Sequence, residues 1–268
     1  MAEKVTGSKA SEAARIEAPR NPAPRASERE IDAYIEVCRK RPSPRLGRTF
    51  RVPPNWRFDA ALKACDPMNG GKDAAEDQGC FWNLLATLMP RTPFSIPEGG
   101  PVRILDIGCG EARAARPTID YFEGADGEHE VSYLGVDIEP RAVNRARASH
   151  WGCDECRFEV ADATRFANFG RADAKFDVIL MRHPGPMREP GLTEIWRKIA
   201  AEAMAHLSDD GVIIVTDYFC DEYRFMQHVL VEELGAVEYV SGKNPDARPF
   251  HQNLSRDNYV AIYGKAKR

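Results

Sequence analysis

Asp106, Gly108 and Gly110 stand at alternate positions at the end of an apolar run, Arg103-Ile104-Leu105-Asp106-Ile107, and ahead of a helix-compatible stretch. This order predicts a buried parallel strand, a tight turn and a helix start. Glycine puts no Cβ between the turn backbone and a ligand, and the helix start offers unpaired N–H groups to that same ligand. The chemistry so permitted is the binding of a nucleotide-like cofactor. The dinucleotide fingerprint would need a third glycine where Arg113 stands, so a nicotinamide cofactor is not expected.

Two further apolar runs also end in acids. Val131-Ser132-Tyr133-Leu134-Gly135-Val136 leads to Asp137, and Cys156-Arg157-Phe158-Glu159-Val160-Ala161 leads to Asp162. An acid at the tip of a second strand can accept both hydroxyls of a ribose. Asp137 lies 27 residues beyond Gly110, against a usual spacing of about 20. The polar insertion Glu123–Glu130 accounts for the surplus. A fourth run spans Phe176–Met181 and a fifth Gly211–Asp217, the fifth entered through the turn Leu207-Ser208-Asp209-Asp210.

Asp106-x-Gly108-x-Gly110, with the small Ala112 two positions on, resembles the first motif of class I S-adenosylmethionine-dependent methyltransferases. The five runs follow that family's order over residues 100–266. The resemblance implies an α/β fold: a Rossmann-like, mostly parallel seven-stranded sheet with helices on both faces. Its last strand would be antiparallel, between the fifth and the sixth, here Tyr259–Tyr263 beside Val237–Val240. It also implies S-adenosyl-L-methionine as cofactor. Asp106, Gly108 and Gly110 would hold the methionyl part, Asp137 the ribose and Asp162 the adenine amino group, with Cys109 in the same cofactor-binding set. Ile138 would pack on the adenine face, and Ala163 and Met181 would complete the binding set.

Methyl transfer from a sulfonium is an in-line displacement, so donor and nucleophile must be aligned and water excluded. A weak nucleophile also needs a general base. The place to look is after the fourth run, at Arg182-His183-Pro184-Gly185-Pro186-Met187. Enzymes of this family that methylate base amino groups carry Asp or Asn before Pro-Pro and an aromatic at this place. His183 before Pro-Gly-Pro departs from that pattern and is the candidate catalytic residue, because imidazole titrates near pH 6.5. It could equally orient a substrate. Asp217, Tyr218, Lys243, Arg248, His251 and Arg256 are further polar candidates for the rim. Their positive excess suits an acidic acceptor, or else they form a solvated loop.

Around these residues the chain divides into three. Residues 1–26 lack periodic apolar positions and read as a disordered tail. Residues 27–99 read as an N-terminal helical cap and basic linker, with helices expected over 28–40, 58–66 and 73–89, the last two parted by Asn69-Gly70-Gly71. Residues 100–268 form the methyltransferase domain. Such a cap often closes over the cofactor cleft in the resembling family. After the fifth strand a helix is expected over Glu222–Leu234, stopped by Gly235.

The 268 residues suffice for a large core, and 43% apolar with 29% charged residues is ordinary for a globular protein. No apolar stretch reaches the roughly 18 residues that span a bilayer, and the N-terminus carries no signal segment. A cytoplasmic, membrane-free protein is expected, and nothing in the pattern sets an oligomeric state. Seven cysteines without regular spacing do not suggest a disulfide framework. Cys153 and Cys156, with His150, offer three zinc ligands but no fourth, so reduced structural cysteines are the expectation.

Between Arg39 and Arg57 stand seven Lys or Arg residues, no acid, and Trp56. Such an arm could bind RNA through phosphates and stacking. The net charge of −4 argues against a broad nucleic-acid surface. The expected function is therefore methyl transfer to O or N of a small-molecule acceptor. An RNA methyltransferase using the basic arm, or a non-catalytic cofactor-binding protein, is the alternative.

Overall fold

The computed structural model describes residues 70–267 except 125–126, 167–172, 187, 189–190, 245–246, 248 and 252–253; for 70–76, 249–251 and 254–255 it describes the backbone alone. The expected tail, the two earlier helices and the basic arm lie outside the described residues.

Seven strands form one sheet: β1 (Val102–Ile107), β2 (Val131–Asp137), β3 (Cys156–Val160), β4 (Phe176–Arg182), β5 (Leu207–Asp217), β6 (Val237–Lys243) and β9 (Tyr259–Gly264). Their order is β3-β2-β1-β4-β5-β9-β6, parallel apart from β9, which runs antiparallel between β5 and β6. The seven-stranded Rossmann-like arrangement expected from the sequence is the one observed. A two-stranded ribbon, β7 (Pro249–His251) with β8 (Leu254–Ser255), interrupts the connection from β6 to β9 and was not expected.

Covered on both faces, the central strands are near-continuous apolar runs, as parallel strands must be. In β4 every residue but Arg182 is buried. Side chains alternate between two cores. Ile104, Val178 and Ile214 pack with α1 (Gly70–Leu88), α2 (Ala115–Glu123) and α3 (Pro140–Ser149). Leu105, Ile179 and Ile213 pack with α4 (Leu192–His206) and α5 (Cys220–Gln227). Arg103 and Asp177 pin β1 to β4 at 2.9 and 3.1 Å.

Four features differ from expectation. Gly70 and Gly71 lie inside α1 instead of preceding a helix at 73. Phe81, Leu84, Leu85 and Leu88 bury its stripe, and that tertiary packing outweighs the glycines' poor helix propensity. Leu207–Asp210 is extended as the start of β5, because Leu207 pairs with Phe176 across an irregularity in the ladder. The helix expected over Glu222–Leu234 starts at Cys220 and changes at His228 into a π-helical turn, His228–Glu233, before Gly235. The cysteine expectation is corrected: Cys153 and Cys156 form a disulfide, their Cα atoms 5.4 Å apart and within bridging reach. Among the described residues no group of metal ligands occurs.

Candidate functional site

The carboxyl ends of β1, β2 and β3 build one half of the site from backbone and acids. The turn after β1 is fixed by the Gly108 and Cys109 N–H groups, both donating to the Val136 carbonyl at 2.8 and 3.0 Å. Gly108 and Gly110 have left-handed φ of 71° and 57°, a conformation that costs glycine nothing. No atom lies within 4 Å of where a Gly110 Cβ would be, so the turn faces open space. Gly135 on β2 makes room for the turn. A Cβ there would sit 2.7 Å from the Phe158 ring and 3.0 Å from the Cys109 sulfur.

Asp137 is oriented by two amides. Gly110 N–H donates to one carboxylate oxygen at 2.9 Å and Glu139 N–H to the other at 2.8 Å. Burial raises its pKa, and these N–H groups oppose the rise. Each oxygen keeps acceptor capacity for a hydroxyl. Asp162 accepts from the Thr164 N–H and hydroxyl at 3.0 and 2.7 Å, which fixes its carboxylate at the end of β3. Ile138 and Ala163 are part-buried against the core shared with α4 and α5. Asp106 is fully buried and accepts from the Tyr133 hydroxyl. Burial pushes its pKa up to about 6, against the Tyr133 bond and the nearby Arg182. Cys109 is buried, which holds its thiol neutral. Met181 is wholly enclosed in the core toward α4.

The other half, at the ends of β4, β5 and β9, is made of side chains. Arg182 donates to Asp257 at 2.9 and 2.6 Å and to Asp77 of α1 at 3.3 and 2.7 Å. Its guanidinium also lies over the Phe81 ring, 4.6 Å from the centroid. Arg256 reaches Asp77 at 3.4 Å, and the Thr216 hydroxyl donates to Asp257 at 2.6 Å. Burial alone would raise both aspartates. The charge and bonds of Arg182 instead hold Asp77 below, and Asp257 well below, the ordinary carboxylate range.

His183 joins this cluster. Its Nε2 lies 3.0 Å from Asp257 Oδ1, and its ring stacks on Tyr218 with centroids 3.8 Å apart. Burial lowers its pKa below 6.5, against the pull of Asp257, so the imidazole is neutral at pH 7. Among the described residues, three non-glycines have left-handed backbone: Ala112 in the glycine turn, His183 and Asp257. All three lie at this sheet edge, and such conformations persist where the surrounding structure over-determines them.

The remaining rim candidates scatter. Asp217 is fully buried on the opposite face beside Glu222, and burial followed by the Glu222 charge favours its neutral form. Lys243 is exposed, while Arg248 and the His251 side chain lie outside the described residues. Arg256 turns inward to Asp77, so it is not part of an open basic loop. Asp77, Arg182, Thr216 and Asp257 were missed from sequence. They come from four separate segments with no common spacing.

Three strand-end acids surround an open glycine turn on a sheet whose antiparallel strand sits next to last, the Rossmann-like arrangement of a methyltransferase fold. Residues 100–249 match the family described as a methyltransferase domain. The chain belongs to that family, the S-adenosylmethionine-dependent methyltransferases of class I. No curated protein matches the chain. Solved structures share the fold. The PH0226 protein from Pyrococcus horikoshii OT3 is 16% identical over 74% of this chain and 93% of its own, with a TM-score of 0.52. The N-methyltransferase NodS from Bradyrhizobium japonicum WM9, in complex with S-adenosyl-L-homocysteine, is 15% identical over 78% and 98%, with a TM-score of 0.50. A TehB-like SAM-dependent methyltransferase from Corynebacterium glutamicum is 19% identical over 70% and 88%, with a TM-score of 0.45.

Proposed function

We propose that this methyltransferase acts on O or N of a small molecule, with His183 as general base. The carrying observation is the neutral imidazole held at the end of β4 between Asp257 and Tyr218. The charge around it supports the acceptor class. Arg182 and Arg256 meet Asp77 and Asp257 within the chain, which leaves a neutral enclosure instead of a cationic surface for a polyanion. The RNA reading rests on the arm 39–57, outside the described residues.

The cofactor residues fit the family's ligand. The turn after β1 opens beside the uncapped start of α2, where amides suit a carboxylate. Asp106 would face the amino group, Asp137 the ribose and Asp162 the adenine, with Gly108, Cys109, Gly110, Ile138 and Ala163 forming the walls, whereas Met181 is wholly enclosed in the core and presents no open surface. When bound, S-adenosylmethionine supplies a methyl group on a sulfonium, which departs as a neutral thioether. His183 takes the proton of the acceptor O–H or N–H, freeing the electron pair that attacks. Asp77 supports a role for residues 27–99 in closing the acceptor pocket, since it brings α1 to Arg182.

Two measurements test this. Calorimetry with S-adenosylhomocysteine is expected to show binding that Asp137→Ala weakens, with no heat from NADH. S-adenosylmethionine labelled in its methyl group is expected to mark a small molecule in a fractionated extract. Label that goes to RNA overturns the acceptor class, and normal turnover of His183→Ala over about pH 6–9 overturns the base.

A further inference from the structure

We propose that Asp257 is the positioning residue for His183: it holds the ring with Nε2 protonated and leaves Nδ1 as the atom that takes the acceptor's proton. The assignment rests on the reading of His183 as base and gives that base an atom.

The two residues are 74 positions apart and meet because the turn between β8 and β9 delivers Asp257 to the end of β4. Both have left-handed backbone, φ 59° and 48°. Asp257 cannot swing away. Thr216 donates to Oδ1 at 2.6 Å, Arg182 Nε to Oδ1 at 2.9 Å and Arg182 Nη2 to Oδ2 at 2.6 Å.

Two Asp257 atoms compete for His183 Nε2. Oδ1 lies 3.0 Å away, and the Asp257 amide nitrogen 3.2 Å away. A ring nitrogen cannot donate to one and accept from the other. If Nε2 accepted the amide proton, its lone pair would face a buried anionic oxygen. If Nε2 carries the proton, it makes a charge-assisted bond to Oδ1 and gives up the hydrogen bond it otherwise accepts from the Asp257 N–H, which at 3.2 Å is at the long end of the range. The second arrangement wins, because a buried anion punishes a misplaced lone pair more than a weak amide bond repays it.

The groups facing the ring from other elements agree. Arg182 of β4 and Arg256 are balanced by Asp77 of α1 and Asp257, so the imidazole starts neutral. Tyr218 covers one face, and burial pushes its phenol up to about 12, so it does not compete as a base. Among the described residues Nδ1 has no hydrogen-bond partner, and the side chain keeps 14% of its surface exposed. When Nδ1 takes the acceptor's proton, the imidazolium charge faces Asp257 and the freed electron pair forms the bond to the methyl carbon.

The test uses full-length protein with 15N-labelled histidine, the His183 signals being assigned with His183→Gln. Wild type is expected to show one neutral tautomer, protonated at Nε2. Asp257→Asn is expected to move the ring toward the Nδ1-protonated form, since a carboxamide can donate to a bare Nε2. A wild-type ring protonated at Nδ1 overturns the proposal, and that spectrum decides even if the variant does not fold. A ring whose tautomer and pH titration are the same in a folded Asp257→Asn protein overturns it too. Once an acceptor is in hand, Asp257→Asn should lower kcat by about 10²- to 10⁴-fold with the donor KM unchanged. Homocysteine-product binding stands apart. If it persists while the tautomer fails, only the positioning role is lost; if it is absent, the cofactor reading fails by itself.

Discussion

The two halves of the site are built by opposite means. At the ends of β1–β3, the proposed cofactor contacts come from a short turn and three acids, each fixed by amides or hydroxyls a few residues or one strand away. At the ends of β4, β5 and β9, the site is made of side chains of α1, β4, β5 and the β8–β9 turn that compensate one another's charge. The first half, proposed to hold the family's shared cofactor, can be written locally. The second must suit one acceptor, and each of its charges depends on a partner far off in the chain.

The sharpest way to break this contrast is to remove the hub of the second half. Arg182 is enclosed, and burial would lower its pKa if the two aspartates did not hold it well above normal. Arg182→Met leaves two buried carboxylates without the guanidinium that bridges them, with only Arg256 still 3.4 Å from Asp77. It should cost about 3–5 kcal/mol in urea unfolding. A loss under about 1 kcal/mol would mean that Asp77 and Asp257 are solvated and the cluster is no enclosure.

This contrast also explains what the sequence reveals. The glycine turn, Asp137 and Asp162 are legible because an apolar run, an acid and glycines are neighbours in the chain. The strand order follows from the methyltransferase resemblance that the five apolar runs carry together. Asp257 gives no such signal. It sits between a ribbon and the last strand, and only folding brings it 3.0 Å from His183. Asp77 looks like any polar helix residue until α1 packs. The Cys153–Cys156 bridge escaped because spacing alone does not distinguish a disulfide from a metal pair or free thiols.

The first half has its own sensitivity, and it runs with pH. Asp106 has a pKa of about 6 in the fold against 3.8 ordinarily. The folded state therefore holds a proton that the unfolded chain has lost between those values, and stability falls as pH rises through that window. The contribution is about 3 kcal/mol, at 1.36 kcal/mol per unit. Asp137, Asp217 and Glu222 are also raised by burial and add in the same direction. Asp77 and Asp257, being lowered, lose stability only in more acidic solution. Asp106→Asn should flatten the decline between about pH 4 and 6; an unchanged slope would place the Asp106 carboxylate in solvent.

The same half is also expected to govern donor affinity alone. Asp137→Ala removes an acceptor already aligned by Gly110 and Glu139. Bonds to a charged group contribute about 1.5–3 kcal/mol, so S-adenosylhomocysteine should bind about 10- to 100-fold more weakly. His183→Gln should leave that affinity within about 2-fold, a change of about 0.4 kcal/mol. Equal losses in both variants would erase the division into donor and acceptor halves.

The smallest effect serves as the yardstick for the largest. Arg116 and Asp120 pair at 2.5 Å on the surface of α2, one helical turn apart, with side chains 56% and 40% exposed. The geometry is as close as that of Arg182 with Asp257 at 2.6 Å. Only the surroundings differ. Water already solvates the Arg116 pair and salt screens it, so Arg116→Gln should cost about 0.3–0.5 kcal/mol, and less at high salt. Arg182→Met should keep its larger cost at any salt concentration, since screening ions do not enter the enclosure. Similar costs for the two, or a parallel decline with salt, would show that burial is not what separates them. Distance alone would then account for both, and the acceptor half would lose its claim to be a preorganised site.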